Sequence, residues 1–345
     1  MSALDPSVIC AEAQDHIDLM FSESNPELLQ EDNGAILAVT DAMNLSGVTI
    51  TPLMEAGAIT NRVKVITTQR PLASNVTDTI SDCFPDNMRE PQPVVAQEYE
   101  LDDAVQDVFI MDKQAWRRMC RGADPNRQFA LYLAQCLNIL VERMNQKLIT
   151  NISSNFGNYY GGTSSSSSPS ALDLIAGSAP NEGFNTSGYF DMVNALSDIG
   201  ANRFMVIGTG EVRKAMQFLE IGCCNGVGAD LSQLEPAMFF HDKYIPSVLT
   251  GQRFIALQPG SVIIPNVVEN EGQYAFENSL HRKIVLQHPR TGLLFDVDIK
   301  FDADCNAFKV WARKPYTTVY TRTGLFQSGD SMFDVNGVLQ FNAAT

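Results

Sequence analysis

Residues Asp124 to Phe156 read Asp-Pro-Asn-Arg-Gln-Phe-Ala-Leu-Tyr-Leu-Ala-Gln-Cys-Leu-Asn-Ile-Leu-Val-Glu-Arg-Met-Asn-Gln-Lys-Leu-Ile-Thr-Asn-Ile-Ser-Ser-Asn-Phe. Asp124 is an N-cap residue, and Pro125 occupies the first helical position, where a missing N–H costs nothing. Phe129, Leu133, Cys136, Leu137, Leu140, Met144, Leu148 and Ile152 recur at spacings of three and four, one apolar stripe of an α-helix. Leu131, Ile139 and Val141 lie off that stripe, so part of a second face is expected to be covered. The run Asn155 to Gly162 supplies the stop, because glycine tolerates the left-handed conformation of a C-cap. A helix of this length is a rod of roughly 45 Å at ~1.5 Å rise per residue. The stretch predicts a spine on which other elements lean.

The chain of 345 residues is long enough for about two domains and a substantial core. No run of 18 apolar residues marks a membrane span, and the first residues, Met-Ser-Ala-Leu-Asp-Pro, lack the basic and apolar segments of a secretory signal. Seven scattered cysteines without a Cys-x-x-Cys pair read as reduced thiols, the vicinal Cys223-Cys224 included. The net charge of −16 is lopsided. Residues 1 to 112 hold 20 Asp/Glu and 4 Lys/Arg, whereas the remainder is balanced. Two readings stay open: a solvated acidic surface, or acidic segments lying on a basic patch of another copy. Lys113, Arg117, Arg118, Arg121 and Arg127 form that basic candidate. An acidic chain with few stacking aromatics near the cluster argues against nucleic-acid binding there.

Working outward, residues 1 to 50 are polar and acidic, with short helices at Pro6 to Phe21, after Asn25-Pro26, and at Gly34 to Met43. They read as an arm without a core of its own. Arg62 to Thr68 and Val94 to Leu101 are β-rich and flank a turn-rich stretch, which predicts a long two-stranded hairpin with an extended tip. Such a ribbon is marginal alone and must dock elsewhere. Val105 to Met111 leads to a short helix, Lys113 to Cys120. Beyond the spine, Ser164 to Ser168 is a surface loop by composition. Helices at Tyr189 to Ile199 and Glu211 to Ile221 flank a buried strand at Arg203 to Ile207, an α/β unit. Short strands follow at Arg253 to Leu257 and Ser261 to Ile264. Strands at Lys283 to Leu286, Leu293 to Phe301, Phe308 to Ala312 and Thr317 to Thr321 form the tail. In Leu293 to Phe301, Phe295, Val297 and Ile299 alternate with Asp296, Asp298 and Lys300, which predicts one buried and one wet face. Met332 to Phe341 reads as a final hairpin around Asn336-Gly337.

Tests for chemistry return little. Gly208-Thr209-Gly210 sits where a phosphate loop would, but Arg213 replaces the third glycine and no Gly-Lys-Ser/Thr follows, so a plain turn is expected. Asp302-Ala303-Asp304-Cys305-Asn306 starts like a calcium loop, but Ala307 and Arg313 stand at the glycine and closing glutamate positions. His16, His241, His281 and His288 form no metal-binding pair, and His241-Asp242 reads as a surface pair. No catalytic residue, cofactor or metal is expected.

The order of acidic arm, docking hairpin, spine helix, α/β unit and returning strands resembles the tailed-bacteriophage major capsid proteins of the Hong Kong 97 fold. The matching segments are the arm, the loop from Ile59 to Met111, the spine, Tyr189 to Ile207, Gly292 to Phe301 and Ala307 to Tyr316. The resemblance implies an α+β capsid fold with four parts: an arm (1–50), an extended loop (51–112), a peripheral domain (113–156 and 276–325) and an axial domain (157–275 and 326–345). It implies a structural protein of the virion, assembled in the host cytoplasm into hexamers and pentamers of an icosahedral shell around double-stranded DNA, with no membrane. Two departures from the family, the lack of a long coiled-coil segment before the arm and the retained Met1, lead to the expectation of a separate scaffolding protein and no trimming, with a portal and decoration proteins as further partners. Subunit contacts are expected between Asp102, Asp103 and Asp107, or the arm acids, and Arg117, Arg118 and Arg121 of an adjacent copy. An encapsulin-like cargo compartment and a cytosolic α/β enzyme are the alternatives.

Overall fold

The computed structural model describes residues 33–46, 48–55, 58–68, 94–112, 125–155, 170–177, 182–198, 203–221, 237–248, 253–268, 281–302, 307–321, 324–328, 331–335 and 337–342, with Gln14, Asp15, Ile17, Asp18, Phe21 and Gln114. The fold is α+β.

The spine is one helix, Pro125–Ser154, of 30 residues. Its predicted stripe is buried, and so are Ala130, Ala134, Val141, Asn145 and Ile149 on the adjoining flank. Two elements cover these two flanks. The stripe packs on a four-stranded antiparallel sheet, ordered His281–Gln287, Leu294–Asp302, Ala307–Tyr316 and Asp103–Met111. The sheet contributes Phe295, Val297, Ile299, Val310, Ala312, Val105 and Met111 to the same core as the spine. Each such buried side chain contributes roughly 1.5–3 kcal/mol of transfer free energy. The second flank is covered by the helix Gly34–Leu45, through Ala35, Ile36, Ala38, Val39 and Ala42.

That helix corrects the arm reading: the carboxyl-terminal part of residues 1 to 50 lies in the chain's own core. Asp103–Met111 corrects another boundary. The sequence places it at the exit from the extended loop, but it pairs along its whole length with Ala307–Tyr316, from Asp103↔Tyr316 to Met111↔Phe308. The expected helix from Lys113 to Cys120 and the Ser164 to Ser168 loop lie outside the described residues, as do Cys223 and Cys224.

Leu294–Asp302 alternates as expected on its inner face, but the outer face is not wet at Asp296 and Asp298, both of which are buried. The neighbouring strand explains this. Register places Arg313 opposite Asp296 and Trp311 opposite Asp298. Arg313 stands 4.5 Å from the Trp311 ring centroid and 3.8 Å from Asp298 Oδ2. Arg313 and Trp311 thus lie beside the Asp298 carboxylate and take the place of water there.

The ribbon has three strands, Thr49–Glu55, Ala58–Thr68 and Val94–Glu100, where two were expected. Pro52 obscures the first of them. A proline is tolerated only on an edge strand or at a bulge, and the register shifts between Pro52 and Met54. Lys64 pairs across from Glu98 and Arg62 from Glu100, opposite charges that support the pairing. The root of the ribbon is held by Val63, Val65 and Leu101 against Ile263, Val267 and Val319.

A mixed five-stranded sheet, ordered Ser170–Ala171, Val338–Asn342, Arg253–Leu257, Phe204–Gly208 and Ala237–His241, forms the second layer system. One face carries the helices Thr186–Asp198 and Gly210–Ile221 over Phe204, Val206, Phe254, Leu339 and Phe341. The other face, with Met205, Ile207, Ile255 and Val338, joins the core of the spine and Gly34–Leu45. The predicted last hairpin is therefore wrong. Ser331–Val335 pairs with Gly324–Ser328, while Val338–Asn342 enters the interior of the five-stranded sheet, where both its faces are buried. Gln258 to Ser261 forms a turn: Ser261 N–H reaches Gln258 O at 3.0 Å, and Gly260 has φ +81°. Its flanking strands do not pair together, because Val262–Ile263 pairs with Val319–Tyr320.

Candidate assembly surfaces

The candidate interface acids divide by the direction they face. Asp102 is exposed between the ribbon and the sheet. Asp103 is turned inward. It accepts Lys147 Nζ at 2.5 Å, Tyr316 Oη at 2.9 Å and the Ala104 N–H at 2.8 Å. Partial burial pushes its carboxyl up, but these hydrogen bonds and the Lys147 charge outweigh that and hold it below the usual range. Asp107 also faces the spine. The buried Cys136 thiol donates to it, and burial together with that carboxylate pushes the thiol far up, so Cys136 stays protonated. Asp103 and Asp107 are thus engaged within their own chain. Arg117, Arg118 and Arg121 lie outside the described residues.

Apolar side chains remain at the surface on two elements. Val108 (55% exposed) and Ile110 (59%) point outward from Asp103–Met111, the edge strand of its sheet. On the spine, Leu131 (36%) and Ile139 (55%) are exposed, and so is Tyr132. Of the three residues expected on a covered second face, Val141 is buried, whereas Leu131 and Ile139 are uncovered in the single chain. An edge strand with outward apolar residues is a template for pairing with another chain.

Two buried polar clusters escaped the sequence. The sequence suggests a surface pair at His241-Asp242, yet Asp242 is fully buried. Its Oδ2 accepts the Ala35 N–H at 2.9 Å and Asn145 Nδ2 at 2.7 Å, and its Oδ1 accepts the Tyr244 N–H at 2.8 Å. Asn145 Oδ1 in turn accepts the Ile36 N–H at 2.9 Å. Asp242 and Asn145 therefore cap the Gly34–Leu45 helix from two other elements, with negative charge on its positive end. Gly34 makes the approach feasible, since a Cβ there would stand 2.3 Å from the His241 carbonyl oxygen. Nearby, Tyr244 Oη donates to the Glu142 carboxylate. The second cluster is Lys314, wholly buried, with Nζ donating to Leu294 O at 2.9 Å, Asn266 Oδ1 at 3.1 Å and Val267 O at 3.5 Å. Desolvation lowers its pKa to about 7, against the opposing pull of Asp296.

The Gly208-Thr209-Gly210 turn is structural. A Cβ on Gly208 would meet Val212 Cγ2 at 2.4 Å, and the carboxylate of Glu211 takes the backbone N–H groups of Leu174 and Ile175. Among the described residues no group of three or more His, Cys, Asp or Glu side chains is placed to hold a metal, and no helix is long and apolar enough to cross a membrane.

No protein-family model and no curated protein matches the chain. Solved structures similar to it come from phages. The cyanophage A-1(L) capsid asymmetric unit is 10% identical over 89% of this chain and 92% of that one, with a TM-score of 0.47. The capsid of Ralstonia phage GP4 is 10% identical over 83% and 84%, with a TM-score of 0.44. A Mycobacterium phage Che8 structure is 16% identical over 82% and 85%, with a TM-score of 0.39.

Proposed function

We propose that this chain is a structural protein of the virion, a major capsid protein of the Hong Kong 97 kind. It assembles as hexamers and pentamers of an icosahedral shell around double-stranded DNA, with a scaffolding protein, a portal and decoration proteins as its partners.

One physical observation supports the reading: the single chain leaves apolar side chains uncovered on an edge strand and on its spine. Its ribbon is rooted on six buried apolar residues. Its edge strand turns Val108 and Ile110 outward, and its spine leaves Leu131 and Ile139 bare. Outward apolar side chains on an edge strand suit contact with another chain. A heterologous contact repeated by rotation closes into rings. In this arrangement Asp102 and the arm acids meet Arg117, Arg118 and Arg121 of the adjacent copy, since Asp103 and Asp107 have partners in their own chain.

Electron microscopy of the expressed protein tests the proposal. Closed shells or regular capsomers are expected. Small oligomers without particles would overturn it in favour of a cytosolic enzyme, and shells loaded with protein cargo in place of nucleic acid would point to an encapsulin-like compartment.

A further inference from the structure

The spine's sheet has two edges, and the chain treats them differently. The edge strand His281–Gln287 starts with His281, Arg282 and Lys283. At its other end the Gln14 side-chain amide pairs with the Gln287 N–H at 2.9 Å and the Gln287 C=O at 3.1 Å. Charge and capping of this kind keep a strand edge from pairing with another chain. The ribbon edge Thr49–Glu55 is interrupted by Pro52 and a register shift. Asp103–Met111 has none of these devices. It holds no lysine, arginine or proline, and its register with Ala307–Tyr316 runs unbroken.

That register fixes which backbone groups are open. Pro315 lies opposite Ala104 and has no N–H, so the two form a pair without mutual hydrogen bonds, and such pairs recur at every second residue. Ala104, Gln106, Val108 and Ile110 therefore turn their N–H and C=O groups away from the sheet. Ala104 is already satisfied, its N–H by Asp103 Oδ1 at 2.8 Å and its C=O by Lys147 Nζ at 3.4 Å. Among the described residues, none takes the outward groups of Gln106, Val108 and Ile110. The open run is thus Gln106 to Ile110, centred on Val108.

We propose that this edge pairs with the same edge of a second copy, antiparallel about a two-fold axis through Val108, so that two four-stranded sheets become one. Val108 then faces Val108, and Gln106 of each copy faces Ile110 of the other. Every open N–H and C=O of both strands finds a partner, with none left over. The side chains agree with this register. Val108 and Ile110, both exposed in the single chain, meet apolar or neutral neighbours on the outer face. On the inner face Asp107 meets Phe109 and not another carboxylate. The Phe109 ring lies 6.4 Å from that of the exposed Tyr132, so the apolar surface continues from the edge onto the spine. The contact is isologous and closed. It needs only two copies and does not rest on the capsid reading.

Disulfide trapping in the full chain tests the contact. Directly paired residues stand about 5.5 Å apart at Cα, within disulfide reach, so Val108→Cys should join to itself under oxidised glutathione. Gln106→Cys should not, because its two copies would lie roughly 13 Å apart along the strands, yet it should join to Ile110→Cys when the two variants are mixed. Val108→Cys is expected to give about tenfold more linked dimer than Gln106→Cys alone. Peptide mapping that places the link at position 108 separates it from the seven native cysteines. Adding Val108→Lys to both members of the mixed pair sets two cations face to face and should abolish their link. Equal trapping of Val108→Cys and Gln106→Cys, a link that maps elsewhere, or a mixed pair indifferent to Val108→Lys would overturn the proposal. Trapping reads the same contact in free subunits and in shells. Closed shells without the link would remove this contact and leave the capsid reading standing, and a link without shells would do the reverse.

Discussion

Asn145 Nδ2 donates to Asp242 Oδ2 across 2.7 Å, joining the middle of the spine to the end of the Ala237–His241 strand. The same carboxylate holds the amino terminus of Gly34–Leu45, so three elements from distant parts of the sequence meet on one side chain. Replacing Asp242 by Ala strands the Ala35 and Tyr244 N–H groups and the Asn145 amide. The loss of folding stability should be at least about 3 kcal/mol, given roughly 1–3 kcal/mol for each of the three donors left unpaired. Asp242→Asn keeps one oxygen and should lose less. Chemical denaturation midpoints of the two variants check this, and equal, negligible losses would count against the junction.

Lys314 sets a second expectation. Its folded pKa, about 7, lies below the ordinary 10.5, so the folded chain favours the neutral amine. Stability should therefore rise as pH climbs from 7 toward 10.5 and be level below 7. Between pH 7.5 and 9.5 the gain is about 2–3 kcal/mol from this group. Lys314→Met should remove that slope. Urea unfolding of both proteins at the two pH values measures it, and identical slopes would mean that the amine stays charged among its three carbonyl acceptors.

Assembly makes the third prediction, which rests on the capsid reading. Ile139 is exposed in the single chain, so Ile139→Asp should fold with a stability change within about 0.5 kcal/mol. In a shell the same side chain is covered, and the buried charge should block particle formation. Reversing Arg117, Arg118 and Arg121 to Glu should block it too. Thermal unfolding and particle counts by electron microscopy separate folding from assembly. Normal shells from Ile139→Asp would show that this face of the spine is not a contact, and normal shells from the arginine reversal would remove that contact.

Much of the skeleton was legible because secondary structure writes a local period. The spine appears in the three-and-four spacing from Phe129 to Ile152, and Leu294–Asp302 in the alternation of Phe295, Val297 and Ile299. Thr186–Asp198, Phe204–Gly208 and Gly210–Ile221 lie within a few residues of where periodicity and glycines put them. The edges of the reading failed where the deciding partner was remote. Val338–Asn342 carries a local hairpin signal, but the interior of the five-stranded sheet buries both its faces, which a solvent-exposed hairpin does not. Asp103–Met111 presents apolar residues on both faces, so alternation alone did not identify it as a strand of the spine's sheet.

By itself the sequence determined the spine helix, the α/β segment from Thr186 to Ile221 and most strands of the spine's sheet, where the acidic charge lies, and that no familiar catalytic motif is present. Tertiary structure alone decided the pairings and the fate of the polar groups. Asp242, Asp298, His288 and Lys314 look like surface residues in a sequence, because isolated charge favours water. Their burial depends on Asn145, Arg313, Thr291 and Asn266 arriving at hydrogen-bond or ion-pair distance from far along the chain or across a tight turn, and only the folded backbone brings those atoms together.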